Sequence, residues 1–187
     1  QKIKKIEKKY AEVSKPNTSS KVTKISTKLF TEKHKENEWV VDYIAEKSIH
    51  ASVNGKVTHG DRLQVRLVKG NCDIGNLLTS VYTQSKHLNI MNLKNKYVKN
   101  NFMGNEITAK VLFTLPFLLG HVSTVNIGWI PIDELKNILL RKNEITMEYF
   151  NSEETEITEY FDVTKNIWSN VGLSEVLIKV QTMCKNL

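Results

Sequence analysis

The stretch SIHASVNGKVTHGDRLQVRLVKGN, residues 48–71, decides the fold class of this chain. Ile49, Ala51 and Val53 alternate with His50 and Ser52, and Leu63, Val65 and Leu67 alternate with Arg62, Gln64 and Arg66. A period of two is the mark of a strand with one face buried and one face wet. Between the two runs lies Asn54-Gly55. That dipeptide suits a type I′ turn, which needs positive φ at both central residues, so it predicts a hairpin. Lys69-Gly70-Asn71 closes the second strand.

The same period runs outward in both directions. Thr23, Ile25, Thr27 and Leu29 alternate with lysine and serine, and Trp39, Val41, Tyr43 and Ala45 alternate again. Further strands are predicted at residues 77–83, 107–115, 122–130, 145–150 and 157–162. Many short strands without long helices between them imply a mainly β (α+β) domain, an antiparallel β-sandwich or barrel. Two helices interrupt the pattern. Residues 131–140 begin at Pro131, carry Asp133 and Glu134 in the first turn, and end at Arg141-Lys142, as the helix dipole favours. Residues 174–184 follow Gly172 and, with Leu173 just ahead of them, place Val176, Leu177, Val180 and Cys184 on a helical stripe. The same segment reads as a strand through Val176, Ile178 and Val180; the helix is preferred.

Positive charge is concentrated at the start. Residues 1–38 hold 11 of the 27 Lys+Arg and 5 of the 20 Asp+Glu, a net +6 of the total +7. The isoelectric point of about 9.3 therefore describes this leader rather than the body. Ile3, Ile6, Tyr10 and Val13 recur at spacings of three, four and three, a narrow apolar stripe on a basic helix. Thirteen residues are marginal as an isolated helix, so the stripe needs a partner surface, such as the body, another copy or a membrane surface. Residues 14–20 (SKPNTSS) read as a linker. The domain plan is thus a leader and linker at 1–20 and a single β-rich domain at 21–187. The Gln1 start, without a visible signal peptide, suggests a processed, exported chain. The longest apolar run, residues 111–119, is about half of what a membrane helix requires and contains Thr114 and Pro116.

Cys72 and Cys184 are the only cysteines. A bridge between them would pin the last helix to the sheet and close a loop of about 110 residues, a bond that persists in an oxidising compartment. That favours a periplasmic or extracellular location, with the cytoplasm as the alternative. Neither cysteine belongs to a CxxC pair, so a zinc ribbon or redox motif has no support. Asn17-Thr18-Ser19 fits a glycosylation sequon.

Four constellations carry candidate chemistry. With a two-residue turn at Asn54-Gly55, His50 faces His59, and Asp61 follows on the same face; two imidazoles and a carboxylate are a metal-ligand set. A metal-dependent hydrolase would use that site. Residues 94–102 interleave Lys94, Lys96 and Lys99 with Tyr97 and Phe102; with Arg62 and Arg66 they form a candidate anion or single-stranded nucleic-acid surface. Lysine outnumbers arginine 24 to 3, which weakens phosphate recognition and, with 18 asparagines, reads as an AT-rich coding bias. Glu153, Glu154, Glu156 and Glu159 make an acidic run that suits protein–protein contact or head-to-tail association. His121, His34 and His87 lie outside any ligand motif, and no nucleophile elbow, phosphate loop or calcium loop occurs. Trp39, Trp129 and Trp168 neighbour apolar residues and are expected to anchor the core.

The expectation is a non-enzymatic binding or assembly module of an exported or cell-envelope protein, without cofactor, acting through protein–protein contacts or self-association. A cytosolic nucleic-acid binder is the first alternative and the hydrolase the second.

Overall fold

A computed structural model describes residues 39–44, 47–58, 60–84 and 89–187. The basic leader, the expected strand through Thr23–Leu29, and His34, His59 and His87 lie outside the described residues. The described residues form nine strands: β1 (Val40–Ile44), β2 (Ser48–Asn54), β3 (Arg62–Val68), β4 (Asn71–Thr83), β5 (Tyr97–Phe102), β6 (Asn105–Phe117), β7 (Gly120–Pro131), β8 (Glu144–Phe150) and β9 (Lys165–Ser169). Helix α1 (Ile132–Leu139) follows β7, and α2 (Leu173–Lys185) ends the chain. Instead of two facing sheets, there is one antiparallel sheet in the order β1-β2-β3-β4-β7-β6-β5-β8-β9, curled into a half-barrel. Register shifts at Arg66/Val68, Leu77/Leu78 and Val111/Phe113 supply the curl, since an extra residue on one strand bends it and raises its twist.

The concave face holds the core. Ile49, Ala51 and Val53 of β2, Leu63, Val65 and Leu67 of β3, and Leu77, Val111 and Val125 farther on are fully buried there. Both helices lie against this face, with Leu135 and Leu139 of α1 and Leu173, Leu177 and Val180 of α2 buried. Each such side chain contributes about 1.5–3 kcal/mol on burial. The helical stripe of residues 174–184 therefore wins over its strand reading. Cys72 and Cys184 are bonded, Cα–Cα 5.7 Å, and tie the end of α2 to the first residues of β4.

Three segments depart from the sequence expectation. Residues 157–162 are not a strand: Ile157–Glu159 is a short 3₁₀ turn, and Phe161 N donates to Ile157 O. Ile157 and Phe161 are both buried, and their spacing of four puts them on one side of a helical turn. Conversely β5 and β9 are strands that the pattern hid. Each carries an asparagine in its buried phase, Asn100 and Asn166, which breaks the apolar alternation. Trp168 anchors the core as expected, while Trp129 is 48% exposed.

Candidate interaction site

The β2–β3 connection is not a two-residue turn. Asn54 pairs with Arg62 and His50 with Arg66, so residues 55–61 form a seven-residue loop. That loop folds onto β9: Lys56 N donates to Ile167 O at 2.8 Å. Asn166 is the hub. Its Oδ1 accepts from Val57 N (3.2 Å) and Ile167 N (2.8 Å), and its Nδ2 donates to Asp61 Oδ2 (2.8 Å). Tyr82 N donates to the other Asp61 oxygen at 2.7 Å. Gly55 is required here, because a Cβ would lie 2.5 Å from the Asn166 amide. Burial pushes the Asp61 carboxyl up to about 6, against the two donors, which favour its charged form. Asp61 thus lies in a seam between the β2–β3 loop and β9, an edge strand of the sheet, and His50 sits apart from it on the convex face. Among the described residues no group of three or more His, Cys, Asp or Glu is placed to hold a metal.

His50 belongs to a cross-strand row Asp42–His50–Arg66–Asn76–Trp129. Burial pushes its pKa down to about 4; the neighbouring Gln64 side chain opposes the shift, Arg66 adds to it and Asp42 opposes it. Neither ring nitrogen makes a well-aligned hydrogen bond among the described residues, and the Gln64 amide beside the ring donates to Ser80 Oγ. The Arg66 guanidinium lies 5.7 Å from the Trp129 ring centroid, a cation–π contact across β4. Register places Arg62, Tyr97 and Lys99 on this same convex face. Phe102 is buried in the core, Lys94 and Lys96 precede β5, and Lys99 lies 3.9 Å from Glu106. Arg62, Arg66, Tyr97 and Lys99 thus share a face, with the two arginines on β3 and Tyr97 and Lys99 on β5, three strands between them.

The most unusual surface is the β6–β7 hairpin. β5 pairs with β6 only as far as Lys110, so residues 112–117 run on beyond it, paired with β7 alone. Phe113, Leu115 and Phe117 point to the convex side and are 39, 53 and 54% exposed; Leu118 and Leu119 form the tip at 85 and 90%. Taking about 200 Å² for a whole large apolar residue, this is on the order of 600 Å² of contiguous apolar surface, at the top of the range for monomers. Leu118 sits at φ 51°, a conformation that glycine or asparagine takes far more readily. The base is closely packed. Gly120 packs so closely that a Cβ would meet Thr83 O at 2.1 Å, and Tyr82 meets Phe117 edge-on at 6.5 Å.

Beside the hairpin, at the same end of the sheet, lies the β8–β9 connection. It holds Glu153, Glu154, Glu156, Glu159 and Asp162 and no basic residue. Asp162 accepts from Gln84 N at 2.6 Å, which brings the connection to the end of β4. None of the four glutamates forms an ion pair with another described residue. The sequence reading placed strands at 107–115 and 122–130 and took residues 111–119 as too short to span a membrane, without marking the exposed tip. The signal for the hairpin was its turn: Leu118-Leu119 stands where turn chemistry asks for Gly, Asn or Asp.

Fold and site together define a disulfide-bonded, β-rich half-barrel with an apolar hairpin at its acidic end. No protein-family model, curated protein or solved structure matches the chain.

Proposed function

We propose that this domain is a non-enzymatic binding or assembly module of an exported or cell-envelope protein, and that it acts through protein–protein contacts at the β6–β7 hairpin. The observation that carries this reading is the exposed run Phe113, Leu115, Phe117, Leu118 and Leu119 on a closely packed base. Leaving such a patch wet is unfavourable, and holding a leucine at positive φ adds local strain; both are understandable if the side chains have a partner. The Cys72–Cys184 bond supports an oxidising compartment. No described helix is long and apolar enough to cross a membrane.

The test is capture of partners from an extract of the source cells by wild-type protein and by a Leu118→Asn/Leu119→Ser variant. Sedimentation of both proteins alone would measure self-association. The reading expects contacts that the variant loses while its melting temperature and disulfide are unchanged. Full retention by the variant sinks it. Arg62, Arg66, Tyr97 and Lys99 on one face favour nucleic acid as the second reading; binding to single strands that falls steeply with salt would support it.

A further inference from the structure

We propose that the hairpin and the acidic connection beside it form one docking surface for a basic amphipathic segment, and that residues 1–13 of the same chain occupy it. This rests on the hairpin being the docking surface named above, and it specifies the chemistry of the occupant. Three independent observations converge on it.

The first is charge. The β8–β9 connection brings five carboxylates to the hairpin's end of the sheet, whereas residues 1–13 carry five lysines against two glutamates, a net +3. A basic segment gains there what an anionic membrane surface would lose. The second is apolar match. Ile3, Ile6, Tyr10 and Val13 form a single stripe that is too short to hold a helix alone, and the hairpin is an apolar surface without a described cover. With its stripe on the tip residues Leu118 and Leu119, such a segment would lie across the end of the sheet that the β8–β9 connection reaches at Gln84.

The third is reach. The leader enters the body at Trp39, whose Nε1 donates to Ser169 O at 2.9 Å, and continues into the start of β1. In the antiparallel order, the start of β1, the end of β4, the tip of β6–β7 and the end of β8 all share one end of the sheet. From β1 to β7 is four strand spacings, about 19 Å. Residues 14–22 and 30–38, outside the strand expected through Thr23–Leu29, reach up to about 3.3 Å each when extended, which is more than enough chain for that distance.

The experiment places p-benzoylphenylalanine at Leu119 in the full chain and maps photo-crosslinks by mass spectrometry. Monomeric and dimeric products are separated first. Crosslinks to residues 1–13 within one polypeptide are expected, with a yield that falls about threefold between low salt and 0.5 M as screening shortens the reach of the charges. Ile6→Ser/Tyr10→Ser should reduce the yield about fivefold. Glu153→Gln/Glu154→Gln/Glu156→Gln should reduce it and flatten the salt dependence, with melting temperature and disulfide content confirming that each variant is folded. Crosslinks that arise only between polypeptides, or none to residues 1–13, overturn the proposal. The two readings fail separately. If the leader crosslinks but partner capture ignores the hairpin, the assembly reading falls; if capture depends on the hairpin and the leader never crosslinks, only the cis occupant falls.

Discussion

The seam and the hairpin treat buried and exposed surface in opposite ways. At the seam, polar groups are taken out of water and each is given a partner: Asp61 has two donors, and Asn166 serves two backbone amides as well as Asp61. At the hairpin, large apolar groups are left in water with no described partner. The seam joins the β2–β3 loop to β9 and has the features of a stabilising device. The hairpin leaves its apolar side chains without a described cover, the observation on which the proposed docking surface rests. This contrast separates the residues whose loss should unfold the protein from those whose loss should only isolate it.

The largest expected effect tests the closed side. Replacing Cys72 and Cys184 by serine removes a cross-link over a sequence separation of 112 residues. A loop of that size stabilises by about 4–5 kcal/mol in the chain-entropy model. Chemical denaturation should show that loss, and a loss below about 1 kcal/mol would deny the bond its structural role. Next comes Asn166→Ala, which leaves Val57 and Ile167 amides unpaired and takes a donor from a buried carboxylate. We expect a loss of about 3 kcal/mol, measured the same way.

A pH series sharpens the comparison further. Asp61 is held up at about 6 from 3.8, so its contribution is full below pH ~4 and is lost as pH rises through 6. His50 is held down at about 4 from 6.5, so its contribution is full above pH 6.5 and is lost as pH falls through 4. Between pH 4 and 6 the two slopes oppose, leaving the wild type nearly level. His50→Gln should expose the Asp61 slope, with stability falling as pH rises by up to about 1.4 kcal/mol per unit. Asp61→Asn should expose the opposite slope. A level urea midpoint from pH 4.5 to 6 in His50→Gln would remove this account.

The smallest effect belongs to the hairpin. Leu118→Asn relieves the positive φ and should raise stability by about 0.5–1 kcal/mol in thermal unfolding while abolishing hairpin contacts. A destabilised variant would mean that Leu118 packs against the body.

Much of the fold could be read from particular residues. The alternation through Ile49–Val53 and Leu63–Leu67 announced two paired strands because one face of each is uniformly apolar. The stripe Leu173–Val176–Leu177–Val180 announced α2, and the position of Cys184 on it made the bridge to Cys72 geometrically sensible. Asn54-Gly55 misled because Gly55 serves a contact with Asn166, 111 positions away, instead of a tight turn. β5 and β9 stayed hidden because Asn100 and Asn166 occupy buried positions, and local pattern does not show that a polar side chain is inside.

By itself the sequence determined the strand periods, both helices, the partition of charge between leader and body, and the cysteine pair. These are local or compositional properties, set by side-chain alternation, capping and counting. Only the tertiary structure decided that the strands form one curled sheet, that Asp61 lies in a seam, and that an apolar hairpin stands beside five carboxylates. Those facts depend on pairing between strands far apart in the chain, and pairing energy comes from surfaces that exist only once the chain has folded.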